Sequence, residues 1–366
     1  MRSAPAHSRK ASNYPELNKL SAGTGEMLPP SPVRVHPAPG RSTHCMNAVA
    51  MRRTISPMCY SAQIQASYMK YLRETGAEMD IDQFVEIFGA RVADSSIRIP
   101  RAVERWFDTP ATDAERQIKE LIDQHREAEI TKLEREVFAQ RKRLADAERT
   151  LALKITKAAT ESKRIAGDKV EKALTRLERL KATKPHPAEA RIFPLHYAPI
   201  VLQDGARRVM RLARYHCRKP NEPEFIDRKF PGLYNARRDS LGKYWKEQFG
   251  ATHGVMVVES IFENVEREGK NQVLHFVPRP ANTMLIACLC STWQDPKGGR
   301  PLLSFAAITD EPPPEVAAAG HDRMIINLKP EHLDAWLSPA GKSLDELQAI
   351  LSDRQAPYYE HEVMAA

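Results

Sequence analysis

The sequence has little cysteine and no long apolar run, and both absences exclude classes of protein. Its five cysteines include no CxxC pair, and no two histidines have zinc-finger spacing, so neither a disulfide framework nor a structural zinc site is implied. No stretch approaches about 18 consecutive apolar residues, and the start lacks the compact apolar core of a secretory signal. We therefore expect a cytoplasmic protein with no membrane partner, no metal and no cofactor.

Net positive charge is also small outside one end of the chain. The formal net charge is +8 at pH 7, but residues 1–58 hold eight Lys or Arg against two acidic residues, which leaves +2 for the rest. Bulk charge is therefore a weak argument for nucleic-acid binding by the remainder of the chain. Such binding must depend on individual residues.

Residues 1–58 are rich in Pro, Ser, Ala and Arg and show no sustained apolar periodicity. A segment of this composition cannot bury enough apolar surface to offset the entropy lost on ordering, so we predict a disordered basic extension. It is a disordered tail, a transit-like leader, or upstream sequence translated from a start codon assigned too early. We favour the last interpretation because Met58 directly precedes the first residues with a structured pattern.

The pattern changes at Cys59, and residues 59–110 are predicted to begin a folded domain. An amphipathic helix is expected from Cys59 to the stop at Gly76, with apolar positions at Ile64, Tyr68 and Tyr71. A second helix is expected after Asp80 or Asp82, either of which could cap it, with an apolar stripe formed by Phe84, Ile87 and Phe88.

Residues 111–184 are predicted to form a helical, coiled-coil-like insertion. Residues 111–183 have no proline and one glycine, and their apolar residues recur at helical spacing. Residues 113–136 carry five basic and eight acidic residues, whereas residues 141–184 carry fourteen basic and six acidic ones. Opposite charge in the two halves favours an antiparallel hairpin, although a single helix of about 105 Å is the alternative.

Residues 185–366 are predicted to form the main part of the domain, because short β-rich runs there alternate with Pro and Gly. The predicted strands cover residues 198–202, 209–213, 254–260, 273–277, 285–290, 303–309 and 324–328. Helices are expected at residues 240–249, at 330–337 and after the capping box that begins at Ser343. Many strands with few helices indicate an α+β fold with a barrel-like mixed sheet.

Four segments carry candidate chemistry, and each is weak alone. They are Met58-Cys59, Asn235-Ala-Arg237 with Asp239 and Ser240, Ser260-Ile-Phe-Glu263, and His321-Asp-Arg323-Met324. Taken together and in this order, they resemble the SOS-response-associated peptidase (SRAP) family. Phe193-Pro-Leu-His-Tyr-Ala-Pro199 is similar to a further stretch of that family, and the start MCYSAQ is typical of a branch with a helical insertion.

The resemblance implies a protein that attaches itself to abasic sites in single-stranded DNA. A free α-amine condenses with the open sugar's aldehyde, and an N-terminal cysteine can close the imine into a thiazolidine, so Met58 and everything before it must be absent. The implied roles are Cys59 as nucleophile, Glu263 and His321 as acid and base, and Asn235 as a hydrogen-bonding group. Arg237 and Arg323 are the implied phosphate contacts. The same groups would cut the peptide bond before Cys59.

This chain departs from the family pattern at two places. Leu212-Ala213 stands where family members usually have Trp-Gly, and Asn264 stands for the Trp after the catalytic Glu, so we expect a different substrate-contacting surface. Two other functions remain open. One is a noncatalytic adaptor that works through the helical insertion and its protein partner. The other is a general cysteine hydrolase that uses Cys59 and His321. We expect a monomer associated with the nucleoid.

Overall fold

The computed structural model describes residues 61–64, 68–183, 186–267 and 269–364, all within one compact unit. Within these ranges the α-helices are α1 Tyr68–Thr75, α2 Ile81–Ala93, α3 Arg101–Glu104, α4 Asp113–Leu153, α5 Lys157–Lys181, α6 Ile226–Lys229, α7 Pro314–Ala318, α8 Leu333–Leu337 and α9 Leu344–Ser352. The strands are β1 Ser61–Ile64, β2 Glu78–Met79, β3 Arg191–Ile192, β4 Tyr197–Asp204, β5 Arg207–Tyr215, β6 Asn235–Arg237, β7 His253–Arg267, β8 Lys270–Arg279, β9 Met284–Trp293, β10 Leu302–Asp310, β11 Met324–Ile325, β12 Asn327–Leu328 and β13 Tyr358–Val363.

The strands form one mixed sheet that surrounds the core. Its main path runs β12-β9-β10-β5-β4-β7-β1-β3, and β7 also pairs with β9, so the pairings from β9 through β10, β5, β4 and β7 close a circuit. Strands β5 and β6 lie parallel to β10, whereas β9 and β11 lie antiparallel to it. Strand β10 therefore brings together segments that are far apart in sequence.

Strand β7 lies at the centre of this arrangement, between β4, β1, β8 and β9. Its residues are buried along almost the whole length, as expected for a strand covered on both faces. Gly254 allows the close packing at its start, because a Cβ there would lie 2.6 Å from the Cys290 sulfur and 2.8 Å from an Ile200 methyl.

The long helical segment folds back into an antiparallel pair, α4 and α5. Thr112 caps α4 with a capping box, and Thr156 caps α5 by accepting a hydrogen bond from the Ala159 amide. Oppositely charged side chains join the two helices at Arg176–Glu129 (2.7 Å), Lys181–Glu134 (2.7 Å) and Lys163–Glu148 (3.1 Å). A small apolar cluster of Leu133, Val137, Ala173 and Leu177 lies between the helices. The hairpin favoured by the charge pattern is the one observed.

The first predicted helix is wrong over its N-terminal part. Residues Ser61–Ile64 form a strand that pairs with β7 and β3, and the helix begins only at Tyr68. Ser61 and Ala62 are fully buried in this pairing, so tertiary contacts override the local helical pattern. The second helix is as predicted: the Asp80 side chain accepts a hydrogen bond from the Gln83 amide, and the Phe84, Ile87 and Phe88 side chains are buried.

Two further local predictions are wrong. Ser240 ends a short 3₁₀-helix and residues 241–249 form hydrogen-bonded turns rather than an α-helix; Gly250 follows with a φ of +88°, which a helix does not allow. Its apolar residues Leu241, Trp245 and Phe249 still reach the core. Residues 324–328 form two strands rather than one, because β11 pairs with β10 whereas β12 pairs with β9.

The other predicted strands lie within β4, β5, β7, β8, β9 and β10, and Ser343 forms the predicted capping box on α9. The α+β fold with a large mixed sheet, flanking helices and a long helix pair is therefore confirmed. Among the helices described, none is both long and apolar enough to cross a membrane.

Candidate functional site

Glu263 lies on β7, opposite Leu274 of β8, and is 3% exposed. A carboxyl group in this position loses most of its hydration. Burial therefore raises the pKa of Glu263, although the neighbouring His321 and the charge of Arg323 act in the opposite direction. A glutamate on a strand is usually expected to face solvent, but the Glu263 side chain is enclosed by the fold.

His321 reaches Glu263 from the loop between α7 and β11. Gly320 precedes it with a φ of +98°, and a Cβ at this position would lie only 2.8 Å from a Val265 methyl of β7. Arg267, near the end of β7, donates a hydrogen bond to the Ala319 carbonyl at 2.7 Å. The loop is thus held against the strand that carries Glu263, and a glycine is required where the two meet.

The His321 ring is oriented by the backbone of its own loop. Nδ1 lies 2.7 Å from the Arg323 carbonyl oxygen, to which it can only donate, so Nε2 is the nitrogen that faces Glu263. The distance from Nε2 to Glu263 Oε2 is 3.1 Å. Among the described residues neither atom has a well-directed hydrogen bond, although both are buried. Each therefore keeps capacity for a further polar partner.

Two protonation states of this pair fit the geometry. With Nδ1 protonated, either Glu263 is neutral and donates to Nε2, or both ring nitrogens are protonated and Glu263 is ionised. Burial lowers the pKa of His321, but the Glu263 carboxylate 3.1 Å away outweighs that effect and raises it overall. Two buried groups that face each other and have raised pKa values are chemically able to transfer a proton at neutral pH.

Asn235 and Arg237 lie on β6, the short strand parallel to β10. Asn235 is half-buried, and its side-chain oxygen accepts a hydrogen bond from the Tyr215 hydroxyl at 3.3 Å. Arg237 is exposed and forms an ion pair with Asp239 at 3.1 Å. This ion pair raises the pKa of Arg237, which stays charged and available at the surface.

Strand β10 joins this segment to the one that carries His321. Thr309 lies opposite Arg237 on one side and opposite Ile325 on the other. Arg237 and Arg323 consequently line one small surface pocket, together with Thr309. The structure therefore brings together Glu263 with His321, and Arg237 with Arg323, and places Asn235 two residues before Arg237.

Met58 and Cys59 lie outside the described residues, as do residues 1–57. The described chain starts at Ser61, which pairs with Phe262, the neighbour of Glu263. The Ser61 hydroxyl oxygen accepts hydrogen bonds from Arg191 Nε at 3.0 Å and Nη2 at 2.6 Å. The Arg191 guanidinium also lies over the Phe262 ring, 3.9 Å from its centre.

Ser61, Arg191, Tyr215 and Thr309 are the site-lining residues that the sequence does not single out. The Thr309 hydroxyl is buried without a hydrogen-bond partner among the described residues. No motif marks these positions, because each becomes a neighbour of the site only through strand pairing. The proximity of Arg191 to the Phe193-Pro stretch is the single hint that the sequence offers.

The three cysteines that the structure describes have buried thiols. Cys217, Cys288 and Cys290 are free and buried. Burial raises the pKa of the Cys217 thiol to about 12 and raises those of Cys288 and Cys290 further, so these thiols are protonated at neutral pH. Across the described ranges, no three His, Cys, Asp or Glu side chains are grouped to hold a metal ion.

A family model described as SOS response associated peptidase (SRAP) matches residues 156–365, which is 210 of the 366 residues. No curated protein matches the chain. Similar solved structures include a Bacteroides thetaiotaomicron protein at 15% identity, covering 48% of this chain and 77% of its own, with a TM-score of 0.42. A Bordetella bronchiseptica protein is 18% identical, with coverages of 48% and 88% and a TM-score of 0.41. A phage-related protein of the same organism is 17% identical, with coverages of 52% and 89% and a TM-score of 0.38. TM-scores this low support no argument about function.

Proposed function

We propose that this chain, which belongs to the SOS response associated peptidase (SRAP) family, captures abasic sites in single-stranded DNA through an N-terminal Cys59. Family membership supports a DNA-damage-associated role. The observation that carries the finer proposal is the buried Glu263–His321 pair, at 3.1 Å, beside the strand that Cys59 precedes. Residues 59–110 and 185–366 would form the SRAP domain, and residues 111–184 an insertion with its own partner.

We expect Cys59 to lie near this pair, because it precedes Ser61 by only two residues. Ser61 lies opposite Phe262, and the antiparallel pairing runs from Ser61 towards Ile64 as β7 runs back from Phe262. Two residues span at most about 7 Å, so the Cys59 Cα lies within about that distance of the Ser61 Cα. This limit supports a site that includes Cys59, Glu263 and His321.

The proposed reaction joins one aldehyde and one aminothiol with loss of one water. The neutral α-amine of Cys59 adds to the C1′ aldehyde of the open sugar, and the resulting carbinolamine loses its oxygen as water to give an imine. The Cys59 thiolate then forms a bond to the imine carbon. The π electrons of the C=N bond move to the nitrogen, which takes up a proton. The product is a five-membered thiazolidine, and the same steps reverse to release the DNA.

Two proton movements in this scheme match the buried pair. The carbinolamine oxygen must gain a proton to leave, and a carboxyl group with a raised pKa is protonated often enough to supply it. The ring nitrogen must gain a proton as the C–S bond forms and lose it on reopening. His321, oriented by its bond to the Arg323 carbonyl, is the proposed partner that takes and returns this proton.

Individual residues would hold the DNA, because the chain outside residues 1–58 is nearly neutral overall. Arg237, exposed and charged, would contact a backbone phosphate, and Arg323 in the same pocket would provide a second contact. Asn235 would hold the sugar or Cys59 by hydrogen bonds. We expect a monomer that acts in the cytoplasm at the nucleoid.

The same groups would expose Cys59. Attack of the Cys59 thiolate on the residue 58 carbonyl would move the acyl group from nitrogen to sulfur and free the α-amine, which gains a proton through the pair. Hydrolysis of the resulting thioester by one water would then release residues 1–58 as a carboxylic acid and restore the thiol. This self-cleavage would be the peptidase activity of the chain. A general cysteine hydrolase would differ by working on added peptides while residue 58 is still attached.

A trapping experiment tests the proposed chemistry. Protein prepared with residue 59 first is incubated with a single-stranded oligonucleotide that contains one abasic site, and adducts are separated on a denaturing gel. Wild type should give a heat-stable adduct. Cys59→Ser keeps the amine but lacks the thiol, so its adduct should survive heating only after borohydride reduction of the imine.

Cys217→Ser is the matched control, because it makes the same change at a buried thiol that already contacts Ser304 and has a pKa of about 12. This variant should crosslink as wild type does. A heat-stable adduct from Cys59→Ser without reduction, or an equal adduct from protein that retains Met58, would remove the thiazolidine from the account.

A further inference from the structure

A second polar pocket lies at the base of the helix pair, where α4 and α5 meet α2, α3 and the start of β4. It is separate in sequence from the Glu263–His321 site. Its lining includes six basic side chains: Arg91, Arg98, Arg101, Arg126, Lys132 and Arg176. Three of them come from the helix pair and three from α2, α3 and the segment between these helices, so the pocket spans two parts of the fold.

The acidic side chains of the pocket do not balance this charge. Glu104 is shared between Arg91 and Arg126, and Glu129 is shared between Lys132 and Arg176. Outside the lining, Glu189 pairs with Arg101 and Asp123 pairs with Arg126, which leaves six basic side chains against four acidic ones. No ion pair of Arg98 lies within the described residues. The pocket therefore has a surplus of positive charge after pairing.

Several buried donors point to a missing partner in the same pocket. Arg91 is 2% exposed, and its Nε and Nη2 groups have no hydrogen-bond partner among the residues described, although Nη1 contacts Glu104. The Nε group of Arg101, Nε2 of His125 and Nδ1 of His196 are also buried and without a partner in that part of the chain. Buried donors are rarely left unsatisfied in folded proteins.

The pKa values of the two histidines in the pocket are lowered by burial and by the neighbouring arginines. Burial, together with the smaller effect of the Arg98 charge, lowers the pKa of His196 to about 4. Burial also lowers the pKa of His125, and Arg91 adds to that effect. Both rings are consequently neutral at pH 7, and each can turn a ring N–H towards an anion.

We propose that this pocket binds a phosphate group, held by Arg91, Arg98 and Arg176 with His125 and His196. A tetrahedral oxyanion presents several acceptors to donors that converge from different directions, and guanidinium groups match its oxygens in pairs. It would neutralise the surplus charge and satisfy the orphaned N–H groups together. Because helix pair and sheet both contribute donors, the phosphate would connect them. This proposal does not depend on the chemistry of Cys59.

The phosphate could belong to a small anion or to a nucleic-acid backbone, and titration calorimetry on the full chain distinguishes them. Pyrophosphate is titrated first, at constant ionic strength. We expect Arg98→Ala to raise the Kd about tenfold or more, because a charged donor is lost without loss of an internal ion pair. Arg135→Ala removes the same charge from the exposed face of α4 outside the pocket, and should change the Kd less than twofold.

Arg91→Lys is a second test, because it keeps the charge that pairs with Glu104 but lacks the unpartnered Nε and Nη2 groups. It should also weaken pyrophosphate binding. Arg98 is exposed, so Arg98→Ala remains informative if Arg91→Lys fails to fold. Absence of pyrophosphate binding to wild type, or equal weakening by Arg98→Ala and Arg135→Ala, would overturn the proposal, since ordered water or nonspecific charge would then account for the pocket.

A single-stranded oligonucleotide with intact bases identifies the source. If it competes with pyrophosphate for wild type and Arg98→Ala weakens both ligands, the pocket holds a backbone phosphate. If it does not compete, the pocket holds a small phosphate anion. Both results support a phosphate site. Neither depends on an abasic lesion, so failure of the crosslinking experiment and failure of this one are distinguishable.

Discussion

Replacing Glu263 by Gln separates the proton-transfer role of the buried pair from its packing. The amide has nearly the size of the carboxyl group, and its N–H can donate to Nε2 of His321, whose Nδ1 is already committed to the Arg323 carbonyl. We therefore expect Glu263→Gln to fold and to bind single-stranded DNA as wild type does. Formation and reversal of the adduct should slow, because the titrating group is gone.

The expected loss follows from the geometry of the pair. A positioned acid or base contributes about 100- to 10,000-fold, which corresponds to about 2.7–5.4 kcal/mol in the barrier. Glu263 Oε2 and His321 Nε2 are 3.1 Å apart, so we expect them to exchange one proton and the removal of either partner to disable both. The double variant Glu263→Gln/His321→Ala should then lose about as much rate as one single variant. Two independent contributions would multiply instead.

Single-turnover crosslinking to an abasic oligonucleotide, followed on denaturing gels, measures these rates. Glu266→Gln is the matched control, because it makes the same change on the same strand at an exposed side chain. It should crosslink at the wild-type rate. If Glu263→Gln and His321→Ala also react at that rate, the pair is structural and the proposed proton transfers are wrong. If the losses multiply in the double variant, the residues do not act as a unit.

Stability should depend on pH in a way that reports the same pair. Burial raises the pKa of Glu263 above its ordinary value of 4.5, so the folded state retains a proton that the unfolded state releases. The wild-type free energy of unfolding therefore falls as pH rises from about 4.5 through the folded pKa. In Glu263→Gln, His321 loses the carboxylate that raises its pKa, and burial then lowers it. Urea unfolding should show the variant gaining stability relative to wild type as pH rises, and a constant difference would contradict this coupling.

Three further predictions concern the DNA contacts, the His321 loop and the helix pair. Arg237→Ala should weaken single-stranded DNA binding and reduce the slope of log K against log salt by about 0.7, and an unchanged slope would remove Arg237 from the phosphate contacts. Gly320→Ala should lower the free energy of unfolding in urea by about 1–3 kcal/mol and slow crosslinking, because the φ of +98° and the contact with Val265 both oppose a Cβ. A variant as stable as wild type would refute this packing. Leu177→Ala should destabilise the helix pair by about 2 kcal/mol, which is the low end of the range for leucine-to-alanine changes in a core, because Leu177 is 8% exposed. Hydrogen exchange in α5 should accelerate accordingly, and unchanged exchange would argue against the small apolar cluster.

The sequence predicts elements whose pattern is local and strong. The charge difference between the two halves of residues 111–184 indicates the hairpin, and Asp80 and Ser343 mark the starts of helices by their caps. Predictions are wrong where distant partners decide the structure. Residues 61–64 become a strand because β7 and β3 pair with them, and residues 240–249 satisfy their backbone by turns while their apolar side chains reach the core.

The candidate site also has a part that the sequence predicts and a part that depends on distant strand pairing. Glu263, His321, Asn235, Arg237 and Arg323 are found through motifs, because their residue types stand in a characteristic order. The sequence gives no sign that Glu263 is buried, that Thr309 lies between two of the motif segments, or that Arg191 binds the Ser61 hydroxyl. These relations arise from the register of β1, β7 and β10, which single-chain periodicity does not determine.

The most direct test of the account is the intact mass of the DNA adduct, formed by protein purified after expression from the full-length gene. The account predicts the mass of residues 59–366 plus the abasic oligonucleotide minus one water, and tandem mass spectrometry of the digested adduct should locate the DNA on Cys59. An adduct whose protein part retains Met58, or whose DNA is attached at another residue, would contradict the claim that the chemistry begins from an N-terminal Cys59.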